Sequence, residues 1–73
     1  MNKEVKVGSK TFIVRELLAI EADDINFDDK KEAIKKQIML STSMSEDEYK
    51  LLTLKERFSL IKVFNELNIP DFQ

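Results

Sequence analysis

The side chains able to do chemistry in this chain fall into four groups. Asp23, Asp24, Asp28 and Asp29 form an acidic cluster, Glu46 and Glu48 a carboxylate pair, and Lys30, Lys31, Lys35 and Lys36 a run of cations, while Tyr49 is the lone phenol. The aspartates invite a calcium reading. A calcium loop of the EF-hand type, however, wants acids at alternate positions, a central glycine and a closing bidentate glutamate, and that spacing is missing. The carboxylate pair invites a general acid–base reading. Glu48 stands three residues after Ser45, so its first duty is to cap a helix, and Glu46 beside it favours the helix dipole. The lysines invite a phosphate reading, but on a helical wheel they spread around the cylinder, as solvated cations pairing with nearby acids would. Tyr49 reads as a packing residue.

Histidine and cysteine are both absent. That removes the commonest metal ligand and general base together with any disulfide or thiolate site. Gly8 stands alone, so there is no glycine-rich phosphate loop. A catalytic, cofactor or metal site is therefore not expected, and binding or assembly is the favoured class. Twelve Lys+Arg against fourteen Asp+Glu leave the chain slightly acidic, without the basic footprint of a nucleic-acid binder. The start MNKEVKVGSK lacks an apolar signal core, and no run approaches a membrane span, so a soluble intracellular protein is expected.

The elements that must position these residues can be read in order. Seventy-three residues make one small domain, the whole of 1–73. Residues 4–14, EVKVGSKTFIV, predict a β-hairpin turning at Gly8-Ser9, because a glycine-first two-residue loop suits a tight turn. With that turn Val7 faces Lys10, Val5 faces Phe12, and Val5, Val7, Phe12 and Val14 share one face. Such a hairpin is marginal alone and needs helices or a partner to cover it. Leu18, Ala22 and Ile25 have helical spacing, predicting a helix over 15–25. A second helix is expected from Asp29 to Leu40, broken by Ser41-Thr42-Ser43, whose hydroxyls compete for backbone hydrogen bonds. The same hydroxyl cluster could be read as a phosphorylation site, though a polar linker and cap is the plainer reading.

The stretch from Leu40 to Asn68, LSTSMSEDEYKLLTLKERFSLIKVFNELN, is the most informative. Ser45 precedes Glu48 by three residues and Thr53 precedes Glu56 by three, so two capping boxes predict helices over 45–52 and 53–67 with a corner at Leu52–Thr53. On the longer helix Leu54, Phe58 and Ile61 form one stripe, and Leu60, Val63, Phe64 and Leu67 carry it around an arc of about 220°, where a surface helix needs little over 100°. Either this is the central helix of the domain, or one edge of the arc is left for a partner. Phe58, Leu60, Val63 and Leu67 are the candidate protein-interface residues. Pro70 is read as the helix stop, with Phe72 in a short tail. The fold class is thus α+β, mostly α: an amino-terminal hairpin followed by a small bundle of three to four helices.

The order of these elements, with Arg15-Glu16-Leu17 directly after the hairpin and the run from Leu40 to Leu52, resembles the small tail assembly chaperones of long-tailed bacteriophages and prophages. Members often carry an LxxxTGLSEEELxxL run followed by an xxDxxxLxxAVxxF helix. Leu40, Thr42, Ser45, Glu46, Glu48 and Leu51 match the first, and Leu60, Val63 and Phe64 fit the second. Met44 is read against the glycine usual in the T-G-L part, and Lys55-Glu56 stand where an aspartate is expected. The resemblance implies a non-enzymatic, non-virion protein of the bacterial host cytoplasm that binds the helical tape measure protein, with homo-oligomers as the coating form. It implies neither a nucleic-acid nor a membrane partner. Two other readings compete: a small helical adaptor for a folded host or phage protein, and a DNA-binding helix-turn-helix. The second is weak, because Lys55, Arg57 and Lys62 face Glu56 and Glu66 on the would-be recognition helix.

Overall fold

The structure, a computed structural model, describes residues 1–69; Pro70 and Phe72, read above as helix stop and tail, lie outside the described residues. Two antiparallel strands, β1 (Asn2–Val7) and β2 (Lys10–Arg15), precede four helices: α1 (Ala19–Ala22), α2 (Lys30–Thr42), α3 (Glu46–Lys50) and α4 (Leu54–Asn68). The α+β, mainly helical class follows. Gly8 turns the hairpin at φ 63°, a conformation open to glycine without strain. Val5 opposes Phe12 and Val7 opposes Lys10, as the sequence predicts, and pairing runs on to Asn2 opposite Arg15. Glu4, Lys6, Thr11 and Ile13 point to solvent, while Val5 and Val14 are buried.

Helices cover that inner face. α4 packs against both strands and against α2, and α2 also touches β2 and α3. The core is Val5, Val14, Ile38, Met44, Leu60 and Phe64. α4 is therefore the central helix, which is the first of the two alternatives for its wide apolar arc.

Three expectations need correction. The first helix is a single turn, Ala19–Ala22, not a helix over 15–25. Its would-be start is taken by β2, which keeps Arg15 in the ladder, and Arg15 then grips Glu21 through a two-pronged ion pair (Nη1–Oε1 3.0 Å, Nη2–Oε2 2.7 Å). The second helix does not break at Leu40 but continues through Ser41 and Thr42. Their hydroxyls donate back to helix carbonyls, Ser41 to Gln37 and Thr42 to Ile38, each at 2.6 Å. Ser41 is buried, which removes it from the phosphorylation reading. Ser43 ends the helix in the left-handed conformation, φ 61°, its N–H donating to the carbonyl of Met39. Counted from Thr42, the glycine of the T-G-L-S run falls on Ser43, its leucine on Met44 and the other leucines of the motif on Ile38, Tyr49 and Leu52, so the readings of Met44 against the glycine and of Leu40 and Leu51 as matches are also corrected.

Both capping boxes form. Ser45 Oγ accepts from Glu48 N–H while Glu48 accepts from Ser45 N–H (both 3.2 Å), and Thr53 and Glu56 do the same at 3.1 and 2.8 Å. Glu56 is buried and its second oxygen meets Lys10 Nζ at 3.2 Å, tying the hairpin tip to the start of α4. At the other end Lys3 reaches Glu66 at 2.8 Å. No helix among the described residues is long and apolar enough to cross a membrane.

Candidate functional site

The four candidate interface residues do not form one patch. Leu60 is 1% exposed and belongs to the core, so it is unavailable to a partner in the folded domain. Val63 and Leu67 are half-buried against that core. Phe58 alone is open, at 63% exposure. The arc is split because α4 turns Leu60 and Phe64 toward the hairpin, which leaves the side bearing Phe58 outward.

Phe58 has company there. Leu54, one turn earlier on the same helix face, is 59% exposed, and Leu51, just before the corner into α4, is 76% exposed. The two capping boxes fix this corner, since each sets where a helix begins and so which side chains stand at the bend. Beside it lie two adjoining hollows of about 300 and 450 Å3 that share Lys35, Tyr49 and Arg57 in their walls. Lys50, Leu52, Thr53 and Leu54 complete the first, and Lys30, Lys31, Ile34 and one acid, Glu32, the second. Three lysines of α2 thus meet Lys50 of α3 and Arg57 of α4. A helical wheel of α2 alone lacks the cations that the other helices bring, which is why the sequence reading spread the charge.

Lys35 and Glu46 form an ion pair at 2.6 Å that joins α2 to α3. Their mutual hydrogen bond holds the Lys35 ammonium above and the Glu46 carboxyl below their ordinary pKa values. Glu46 and Glu48 are accordingly divided between an ion pair and a helix cap. Asp29 caps α2, its Oδ1 accepting from Glu32 N–H at 3.3 Å, while Asp28 N–H donates to Asn26 Oδ1 at 3.1 Å. Among the described residues no group of three or more carboxylates is placed to hold a metal ion.

Sequence reasoning missed Asn68. Its Oδ1 accepts from Leu17 N–H at 2.6 Å, and its Nδ2 donates to the carbonyls of Phe64 and Arg15 at 3.1 and 3.4 Å. One side chain thereby locks the end of α4 to the exit of β2. The site therefore comprises an exposed apolar corner with a cationic margin, held by caps and cross-links. Comparisons with protein-family models, with curated proteins and with solved structures gave no match for this chain.

Proposed function

We propose that this chain is a non-enzymatic tail assembly chaperone of a bacteriophage or prophage, which binds the tape measure protein and keeps it soluble during tail morphogenesis. The observation that carries the reading is the exposed apolar corner of Leu51, Leu54 and Phe58 on a domain whose core is already closed by Leu60 and Phe64. A monomer gains nothing from leaving such side chains in water, whereas a binding protein for apolar segments uses them. The first capping box, with Ser45 three residues after Thr42 and Glu46 and Glu48 behind it, supports the family resemblance on which the identity of the client rests. In this reading several copies, as a homo-oligomer, coat apolar stripes of the client in the host cytoplasm. They leave as tail tube subunits polymerise and are absent from the mature virion.

Co-expression with a tape measure protein of a long-tailed phage tests this. The client is expected to become soluble and to co-purify, and the double substitution Leu54→Ser/Phe58→Ser is expected to abolish both effects while the helical circular dichroism of the domain is retained. A client that stays insoluble beside the wild-type chain, with nothing co-purifying, sinks the reading.

A further inference from the structure

A second surface shares no residue with the corner. Leu17, Leu18, Ala22, Phe27, Phe64 and Ile69 line an apolar groove of about 280 Å3 between the α1 turn with the loop after it and the end of α4. Gln37 and Asn68 are its polar members. Leu18 and Phe27 are exposed, as is Ile69, and Ile20 on the same turn adds a fourth open apolar side chain. The volume falls just below the usual range of about 300–1,000 Å3 for pockets that enclose a small molecule, so the groove suits a few side chains of a larger partner.

Charge selects the partner. Residues 16–29 supply most of the groove and carry Glu16, Glu21, Asp23, Asp24, Asp28 and Asp29 with no lysine or arginine. Glu21 is taken by Arg15, Glu16 pairs with the amino group of Met1, and Asp29 caps α2. Asp23, Asp24 and Asp28 have no ion pair among the described residues, and they follow the lining residues Ala22 and Phe27 directly in the chain. A second copy docked here symmetrically would bring the same acids against them, and like charges across an interface are costly. The chain's own end, Pro70-Asp71-Phe72-Gln73, would bring another acid. None of the lining residues lies in a strand, so an extended peptide finds no edge to pair with. A helix instead presents apolar side chains at i, i+3 and i+4 from one face and cations from its flanks. We infer that the groove between α1 and the end of α4 is a docking site for a basic amphipathic helix. The inference stands apart from the chaperone reading and uses other residues.

The test is fluorescence anisotropy with the full chain and two labelled helical peptides, each with leucines on one face and either lysines or glutamates on the other. The lysine peptide is expected to bind at least about tenfold tighter than the glutamate peptide, and more weakly as salt rises. Leu18→Ser/Phe27→Ser should weaken it by about tenfold or more, and Asp23→Asn/Asp24→Asn/Asp28→Asn should flatten the salt dependence. Ile13→Ser, on the outer face of β2 and outside both the groove and the corner, should leave it unchanged. Equal binding of the two peptides, or undiminished binding by the groove variants, overturns the inference. So does a dimer in sedimentation that Phe27→Ser dissociates, which assigns the groove to a second copy. Binding that emerges only with Phe72→Ser overturns it too, since the chain's own end is then the occupant.

Discussion

Ser43 occupies a backbone conformation that costs an L-residue with a β-carbon about 1–2 kcal/mol relative to the right-handed region. Ser43→Gly removes that cost and returns part of it as added freedom in the unfolded chain. The expected gain is about 1 kcal/mol, visible as a melting temperature raised by roughly 4–8 °C for a domain of this size. An unchanged or lower melting temperature would show that Ser43 is not strained. Glu21 supports a second prediction. Its hydrogen bonds from Arg15 first and from Leu18 N–H next pull its carboxyl from 4.5 down to about 2. A carboxyl depressed by folding contributes stability that is full above its unfolded pKa and lost as pH falls through the folded one. The stability advantage of the native chain over Glu21→Gln should therefore be constant above about pH 5 and fade between pH 4.5 and about 2, followed by thermal melts at stepped pH. Neither residue was legible in advance. Which of three consecutive hydroxyls ends a helix depends on where Ile38 and Met44 must point, and Glu21 was hidden because its partner lies on a strand read as ending one residue earlier.

The capping boxes were fully legible because a cap is a local device: the hydroxyl, the carboxylate and both N–H groups lie within four residues. What a cap contributes depends on the helix it starts. Thr53 opens α4, which touches both strands and α2, whereas Ser45 opens the five-residue α3, whose main contact is α2. Thr53→Ala should cost about 1 kcal/mol of global stability, seen as a lowered denaturation midpoint. Ser45→Ala should mainly raise amide exchange within 46–50 and move the global midpoint less. Equal shifts of the midpoint would contradict this ordering. The first helix failed as a sequence reading for the opposite reason. Leu18, Ala22 and Ile25 have helical spacing, but Ile25 is buried from a loop beyond the α1 turn. Leu18 is exposed and Ala22 half-buried, so the periodicity marked one inward residue of three and not the backbone that carries it.

Across the whole molecule, the arc on α4 divides into a buried part and an exposed part. Leu60 and Phe64 face the hairpin, and Leu54 and Phe58 face out. The helical wheel could mark the arc but not orient it, because orientation is set by the seating of Val5 and Val14, some fifty residues away in sequence. Leu60→Ala should therefore cost about 2–5 kcal/mol, enough to unfold much of a domain this small. Phe58→Ala should stay within about 0.5 kcal/mol of the native chain, as surface substitutions do. Thermal melts of the two variants separate core from surface, and a Phe58→Ala loss as large as that of Leu60→Ala would place Phe58 in the core. The hairpin register was legible from alternation and one glycine. The basic margin was not, since it is assembled from helices that meet only in the folded chain; the acids beside the groove stand in one stretch of sequence, but its apolar lining needs Phe64 and Ile69 from the end of α4.

The two ion pairs that strap the hairpin to α4, Lys10 to Glu56 and Lys3 to Glu66, also set an order of events during synthesis. The strands leave the ribosome first, yet a lone two-stranded hairpin is marginal in water and its apolar face is closed only by α2 and α4. The apolar face of the hairpin therefore stays uncovered until α4 has emerged. A chain cut before α4 leaves the hairpin without its cover.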